Sequence, residues 1–204
     1  MFVGMRREEI DEVYSSLARS YEEVLSKAGY TAYEVLPEQL LRFCSPQRVV
    51  DLGCGTGISS DLLLARGCSV VGVDVASGML AEAAKKRSFE DLVLHDLSEP
   101  LPFSDSSFDA ALLLGVLEFV EDVSSLLQEV ARVLVEDGFL AVTVPLPLPA
   151  GSSLKHYTLS CVRAKELFVQ AGFSVVWSQE FFGYTKLSVG EDVEYAGFVL
   201  RKGQ

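Results

Sequence analysis

Val49-Val50-Asp51-Leu52-Gly53-Cys54-Gly55-Thr56-Gly57 decides the fold, read together with Asp74 at the end of the next apolar run. A short β-branched run flows into three glycines spaced two apart, with an acid two residues before the first of them. A second acid follows 17 residues after the last glycine. Glycines let the backbone turn tightly and let a ligand lie directly on it. A helix following such a turn offers its free N–H groups to the same ligand. Asp74, at the carboxyl end of the next strand, is placed to accept both hydroxyls of a ribose. Cys54 and Thr56 sit between the glycines, where small side chains fit, and are candidate ligand-binding residues with them.

Outward from this loop, strand and helix patterns alternate. Strands are expected at Val49–Leu52, Ser69–Asp74, Leu92–His95, Phe108–Leu114 and Phe139–Val144. Helices are expected at Ile58–Ala65, from Ser77 as cap to about Arg87, after Asp122 as cap, and after Ser160 as cap. In the Asp122 helix the inner face is Leu126, Leu127, Val130, Ala131 and Leu134. The runs Phe173–Phe182 and Val193–Leu200 have no helix between them and read as an antiparallel hairpin joined by Gly183–Gly190. Upstream, Ile10, Val13, Tyr14, Leu17, Ala18, Tyr21, Leu25 and Ala28 form one apolar face of a helix over 8–28, stopped by Gly29. A short helix over 33–43 carries Pro37 in its first turn. Alternation of this kind implies a three-layer, doubly wound α/β sandwich: seven strands, mostly parallel, with the last antiparallel. The expected organisation is a single domain, with 1–45 a helical cap, 46–145 the core, and 146–204 a long loop, a helix and the hairpin.

Bulk properties narrow the partners. The chain has 204 residues, 49% of them hydrophobic, and a formal net charge of −12. That content opposes disorder, and the charge repels nucleic acid and anionic membrane. No apolar run approaches the ~20 residues of a membrane span, and Met1–Glu9 lacks a signal peptide's apolar stretch, so a soluble cytoplasmic protein is expected. Cys44, Cys54, Cys68 and Cys161 form no Cys-x-x-Cys pair, and no metal is expected.

Two nucleotide chemistries compete for the glycine loop. A dinucleotide fingerprint needs Gly-x-Gly-x-x-Gly, but counting from Gly53 or Gly55 puts Ile58 or Ser60 at the third glycine. Asp51 would also repel a pyrophosphate. It suits a cationic ligand such as S-adenosylmethionine, whose ammonium it can bond directly or through water, or whose loop it can order.

Asp51-Leu-Gly-Cys-Gly-Thr-Gly57 followed by Val70-Val-Gly-Val-Asp74-Val-Ala-Ser-Gly-Met79 resembles the class I S-adenosylmethionine-dependent methyltransferase family. Asp96-Leu-Ser-Glu-Pro, Ser107-Phe-Asp109, Gly115-Val-Leu-Glu118, Leu134-Val-Glu-Asp-Gly138 and Ala171-Gly-Phe173 resemble its further motifs in order. The resemblance covers about residues 10–200. It implies that Gly53, Gly55 and Gly57 lie under the methionine and ribose and that Asp74 holds the ribose hydroxyls. Val75 and Met79 would flank the adenine, although a Met at helical spacing equally suits core packing. Asp96 would accept from the adenine amino group, the Leu97 backbone would meet its ring, and Leu114 and Gly115 would approach the methionine end. Family members often begin with a tyrosine-bearing segment that closes over the cofactor. Tyr14 and Tyr21, seven residues apart and so on one helical face, are the matching candidates.

One departure concerns catalysis. Relatives frequently carry His after the Glu that ends strand four, and here Phe119 follows Glu118. His156, after the strand-five loop, is a candidate general base, with Tyr157 beside it to orient substrate. Leu146-Pro-Leu-Pro149 and Phe119 suggest a partly apolar acceptor pocket. The implied activity is methyl transfer to a small or medium acceptor, with S-adenosylhomocysteine as product and no nucleic-acid or membrane partner; the sequence leaves acceptor and oligomeric state open. Two other classes remain beside it. One is a non-catalytic S-adenosylmethionine-binding partner subunit, separated by turnover of the isolated protein. The other is a nicotinamide oxidoreductase, opposed by Asp51 and the failed third glycine.

Overall fold

The computed structural model describes residues 7–150, 152, 157–186 and 191–203. Strands β1 (Arg48–Leu52), β2 (Ser69–Asp74), β3 (Asp91–Leu94), β4 (Phe108–Leu113), β5 (Leu134–Pro145), β6 (Phe173–Lys186) and β7 (Glu191–Lys202) form one sheet in the order β3-β2-β1-β4-β5-β7-β6. β1 pairs in parallel with β2 and β4, β2 with β3, and β4 with β5. β7 runs antiparallel between β5 and β6. The reversal of strand order between β1 and β4 leaves a crevice at their carboxyl ends, which is where open sheets of this kind take ligands.

Period-2 alternation divides the sheet's side chains between two cores. Val50, Leu52, Val71, Val73, Ala111, Leu113, Leu140, Val142, Phe198 and Leu200 face one way. They meet Leu126, Leu127 and Val130 of α6 (Val123–Val133) and Leu167 and Phe168 of α7 (Cys161–Gln170). Val49, Val70, Ala110, Leu112, Ala141, Tyr195 and Val199 face the other way, against Leu36 and Leu40 of α3 (Ala32–Phe43) and Leu63 of α4 (Asp61–Ala65). Asp122 and Ser160 cap α6 and α7, their side chains accepting from Ser125 N at 3.0 Å and Arg163 N at 3.2 Å. Asp109 of β4 fixes the start of β1 by accepting from Gln47 N at 2.9 Å and Arg48 N at 2.8 Å.

Several boundaries differ from the sequence expectation. The helix over 8–28 is two helices, α1 (Arg7–Leu17) and α2 (Tyr21–Ala28), with a turn at 18–20. The turn sinks Ala18 against Ala76 and Met79, a contact that one straight helix would trade for continuity. α3 begins at Ala32, which moves Pro37 into its second turn. The helix after the glycine loop starts as a 3-10 turn, Ile58–Ser60, before α4. Leu134 belongs to β5, paired with Phe108 before an irregularity in the β4–β5 register, and not to the face of α6. β6 runs through Gly183 to Lys186, so the connection is shorter than expected. Ser77 does not cap α5 (Ser77–Lys86); Ala76 holds that position without a side-chain bond. The capping acceptors come from α1 instead, where Asp11 Oδ1 accepts from Ser77 N at 3.0 Å and Ser15 Oγ from Gly78 N at 2.8 Å. α1 is thereby docked on the free N–H groups of α5.

Candidate active site

β1 ends in a turn that β2 pins. Gly53 N and Cys54 N both donate to Val73 O, at 2.8 and 2.9 Å, and Gly57 N donates to Cys54 O at 2.8 Å. All three loop glycines have positive φ: 74°, 55° and 90° at Gly53, Gly55 and Gly57. Asp74, at the end of β2, clamps this loop. Its Oδ2 accepts from Gly55 N and its Oδ1 from Ala76 N, each at 2.8 Å. Burial raises the Asp74 pKa, and the backbone N–H donors pull it back down.

Above this clamp lies a cavity of about 350 Å³. Asp96, Leu97, Ser98, Val75 and Met79 form one end; Asp74, Gly53 and Gly55 the floor; Leu114 and Gly115 the middle. Val116, Phe119, Val120, Glu121 and Tyr157 form the far end, while Arg7, Ile10, Tyr14 and Tyr21 cover it from α1 and α2. The Tyr14 ring meets Tyr21 edge-on at 6.1 Å and Phe119 at 5.8 Å. Burial pushes both phenols well above their ordinary pKa, so the roof is neutral. Among the described residues Arg7 is the one cation in the lining, against Asp74, Asp96 and Glu121. Asp96 Oδ1 is already engaged by Ser98, accepting from its N at 2.9 Å and its Oγ at 2.8 Å.

Twelve of the seventeen residues singled out by sequence line this cavity: Tyr14, Tyr21, Gly53, Gly55, Asp74, Val75, Met79, Asp96, Leu97, Leu114, Gly115 and Tyr157. Asp51, Cys54, Thr56 and Gly57 lie behind it. Asp51 is buried, its Oδ2 accepting from Ser59 Oγ at 2.8 Å and Ser60 Oγ at 2.6 Å, which ties β1 to the 3-10 turn. Thr56 Oγ1 donates to Glu22 Oε1 at 2.8 Å, and Arg87 joins the same carboxylate at 2.9 Å, so α2 is bound to the loop's outer side. A Cβ on Gly57 would meet Phe89 and Arg87 at 2.7–2.8 Å, so this glycine serves packing away from the cavity. Cys54 is buried, its thiol pushed well above its ordinary pKa by burial. His156 lies outside the described residues. Its neighbour Tyr157 donates its N–H to Glu118 O at 3.1 Å, bringing the chain after β5 against the exit of β4. Leu146 and Leu148 pack against the two cores, so Phe119 and its neighbours, not the Leu-Pro loop, supply the apolar wall.

Arg7, Ile10, Ser98, Val116, Phe119, Val120 and Glu121 line the cavity as well, and of these the sequence assigned a place at the site to Phe119 alone. Val116–Glu121 directly follow the β4 exit, and that adjacency was the available signal. Arg7 offered none.

Burial lifts the Asp51 pKa to about 6, with the serine hydroxyls opposing. The folded state therefore holds this proton more tightly than the unfolded state. The resulting stabilisation is complete below the unfolded pKa and lost as pH rises through about 6. Asp51→Asn cannot ionise, so it should gain on the wild type by ~1.4 kcal/mol per pH unit between pH ~4 and ~6, about 3 kcal/mol in all. Urea unfolding of both proteins across this range checks it, and a pH-independent difference would refute it.

The cavity suits the cofactor implied by the sequence resemblance. A Cβ on Gly55 would stand 3.6 Å from Tyr21 Cε1, in the gap between loop and roof, so the missing side chain keeps that gap clear. A half-buried carboxylate, accessible loop backbone and an acidic lining meet the hydroxyls and positive charge of a sulfonium nucleoside.

Residues 50–142 match the sequence profile of a family described as "Methyltransferase domain". The putative methyltransferase YqeM of Bacillus subtilis is 30% identical over 197 residues, 90% of this chain and 72% of that protein. A demethylmenaquinone methyltransferase of Tropheryma whipplei is 30% identical over 143 residues, 68% of this chain and 60% of that protein. The chain thus spans about three fifths of that curated relative. Among solved structures, the [4+2]-cyclase SpnF superposes with a TM-score of 0.75 over 97% of this chain and 96% of that one, at 18% identity. The strand order, the glycine loop clamped by Asp74 and these relatives place the chain in the class I S-adenosylmethionine-dependent methyltransferase family.

Proposed function

We propose that the protein transfers a methyl group from S-adenosylmethionine to a small acceptor with an apolar body. The observation that carries this reading is the continuity of one covered cavity, from the Asp74 clamp to the apolar wall of Val116, Phe119 and Val120. S-adenosylmethionine, when bound, supplies a methyl group on a sulfonium, with a neutral thioether as leaving group. Asp74 would hold the ribose, Asp96 and Leu97 the adenine, and the Gly55 and Gly115 backbone the methionine end. Tyr14 and Tyr21 would exclude water, and the β4 exit would aim the acceptor along the line of displacement. Alignment and dryness of this kind account for much of the acceleration open to such a reaction.

The fold neighbour named a cyclase shows why turnover must be measured, since function resides in the site. The test is incubation of the purified protein with methyl-labelled S-adenosylmethionine and a panel of small aryl and alkyl alcohols, amines and acids. Label transfer equal to S-adenosylhomocysteine release supports the reading. Acceptor conversion without label transfer, or no release with any acceptor, overturns it.

A further inference from the structure

Glu118 is the most conspicuous polar group that the proposed reaction does not use. It sits in the 3-10 turn Leu117–Phe119 after β4, and its side chain is buried. Oε1 accepts from the Tyr195 hydroxyl of β7. Oε2 is buried with no hydrogen-bond partner among the described residues. Burial raises the Glu118 pKa, Tyr195 and the Glu118 backbone lower it, and no Lys or Arg contributes. Among the described residues the carboxylate therefore has no cationic partner. The buried Tyr30 hydroxyl lies in the same region, near the Thr143 side chain but without a well-formed hydrogen bond among the described residues, and a Cβ on Gly115 would approach it to 3.3 Å.

The surroundings are aromatic. Tyr30 meets Tyr195 at 5.7 Å and Tyr184 at 6.4 Å, and Tyr184 meets Tyr195 at 6.2 Å. On the cavity side stand Tyr14 and Tyr21, both close enough for the charge of Glu118 to raise their pKa values. These two rings are carried by α1 and α2, neither of which contains a buried residue. α1 and α2 are held mainly by polar contacts, Asp11 and Ser15 to α5 and Glu22 to Thr56 and Arg87, and elements with few fully buried apolar side chains open at lower free-energy cost than the core.

A buried carboxylate with one empty oxygen is costly unless something completes it. A cluster of tyrosines about a carboxylate can offer an ammonium group cation–π attraction beside a charge-assisted hydrogen bond. We propose that Glu118, with Tyr30, Tyr184 and Tyr195, receives a protonated amine carried by the acceptor, admitted when the Tyr14–Tyr21 pair moves aside. This rests on the reading that the cavity takes a methyl acceptor, and it names that acceptor's class: an amine with an apolar body seated on Val116, Phe119 and Val120.

The test uses calorimetric titration of the protein saturated with S-adenosylhomocysteine, so that nothing turns over. The probes are 2-phenylethylamine and hexylamine, each against its matching alcohol. At least one amine should bind tenfold or more tightly than its alcohol, and Glu118→Gln should remove that preference. Gln is isosteric and can still accept from Tyr195, so the fold should tolerate it; Tyr30→Phe, which deletes only the buried hydroxyl, should also weaken amine binding severalfold. Equal binding of amine and alcohol, no binding of either amine, or an amine preference that survives Glu118→Gln would overturn the inference. S-adenosylhomocysteine binding is measured first and separately. If it binds while the amines do not, the receptor fails and methyl transfer stands. If it does not bind, methyl transfer fails, and amine titration of the unliganded protein still decides the receptor.

Discussion

Asp74→Ala should lower the affinity for S-adenosylhomocysteine by at least ~100-fold, the loss of ~2.7 kcal/mol. The carboxylate spans Gly55 N and Ala76 N, each at 2.8 Å, and it also lines the cavity floor. Alanine removes two charge-assisted bonds of roughly 1.5–3 kcal/mol each and, on the proposed reading, the acceptors for two ribose hydroxyls. Those two bonds lie within the folded chain, so their loss also costs folding stability, offset in part by the relief of a buried charge. Burial raises the Asp74 pKa, so the wild type already carries an ionisation penalty that alanine relieves. Asp74→Asn keeps the shape and one acceptor, and should fall between wild type and alanine. Calorimetry with thermal unfolding of the same samples separates the two effects. Binding by Asp74→Ala within threefold of wild type would remove Asp74 from the site.

Loop and strand signals near the cavity floor were legible because each is local. Positive φ at Gly53, Gly55 and Gly57 demands glycine, and the acid after β2 sits at a fixed distance from them. The two-core division of the sheet followed from alternation, which a one-residue slip would have destroyed. The roof was less legible. An apolar face of constant helical period ran from Ile10 to Ala28, and nothing in it announced the turn at 18–20. That break is tertiary in origin, since Ala18 sinks against Ala76 and Met79, and Asp11 and Ser15 satisfy the N–H groups of α5. Asp51 shows the same limit at the site. A buried acid beside a ligand loop and a buried acid beneath it look alike in sequence, and only the Ser59 and Ser60 hydroxyls show that it faces the turn. Glu118 was read as half of a motif missing its histidine; its empty oxygen and ring of tyrosines depend on β6, β7 and the Tyr30 segment converging from afar.

Gly53→Ala and Gly55→Ala should fail in different ways, although the glycines are two residues apart. Both have positive φ, which costs an L residue ~1–2 kcal/mol. At Gly53 the new Cβ would stand 2.3 Å from Val116 Cγ2. Val116 is β-branched and nearly buried, so it cannot rotate clear. Overpacking then adds ~1–3 kcal/mol, and Gly53→Ala should lose ~3 kcal/mol or more of folding stability. At Gly55 the Cβ meets only Tyr21 Cε1, at an ordinary 3.6 Å, so stability should fall by no more than the backbone cost. That methyl group instead fills the gap between loop and roof, and S-adenosylhomocysteine binding should be lost. Urea unfolding and calorimetry on both variants distinguish clash from occlusion. Adding Val116→Ala to Gly53→Ala removes the atom in the way, so the two changes should couple, the double variant being more stable than the sum of the single losses allows. Strict additivity would mean that the backbone conformation alone excludes a side chain at Gly53, and that the β4 exit does not press on the loop.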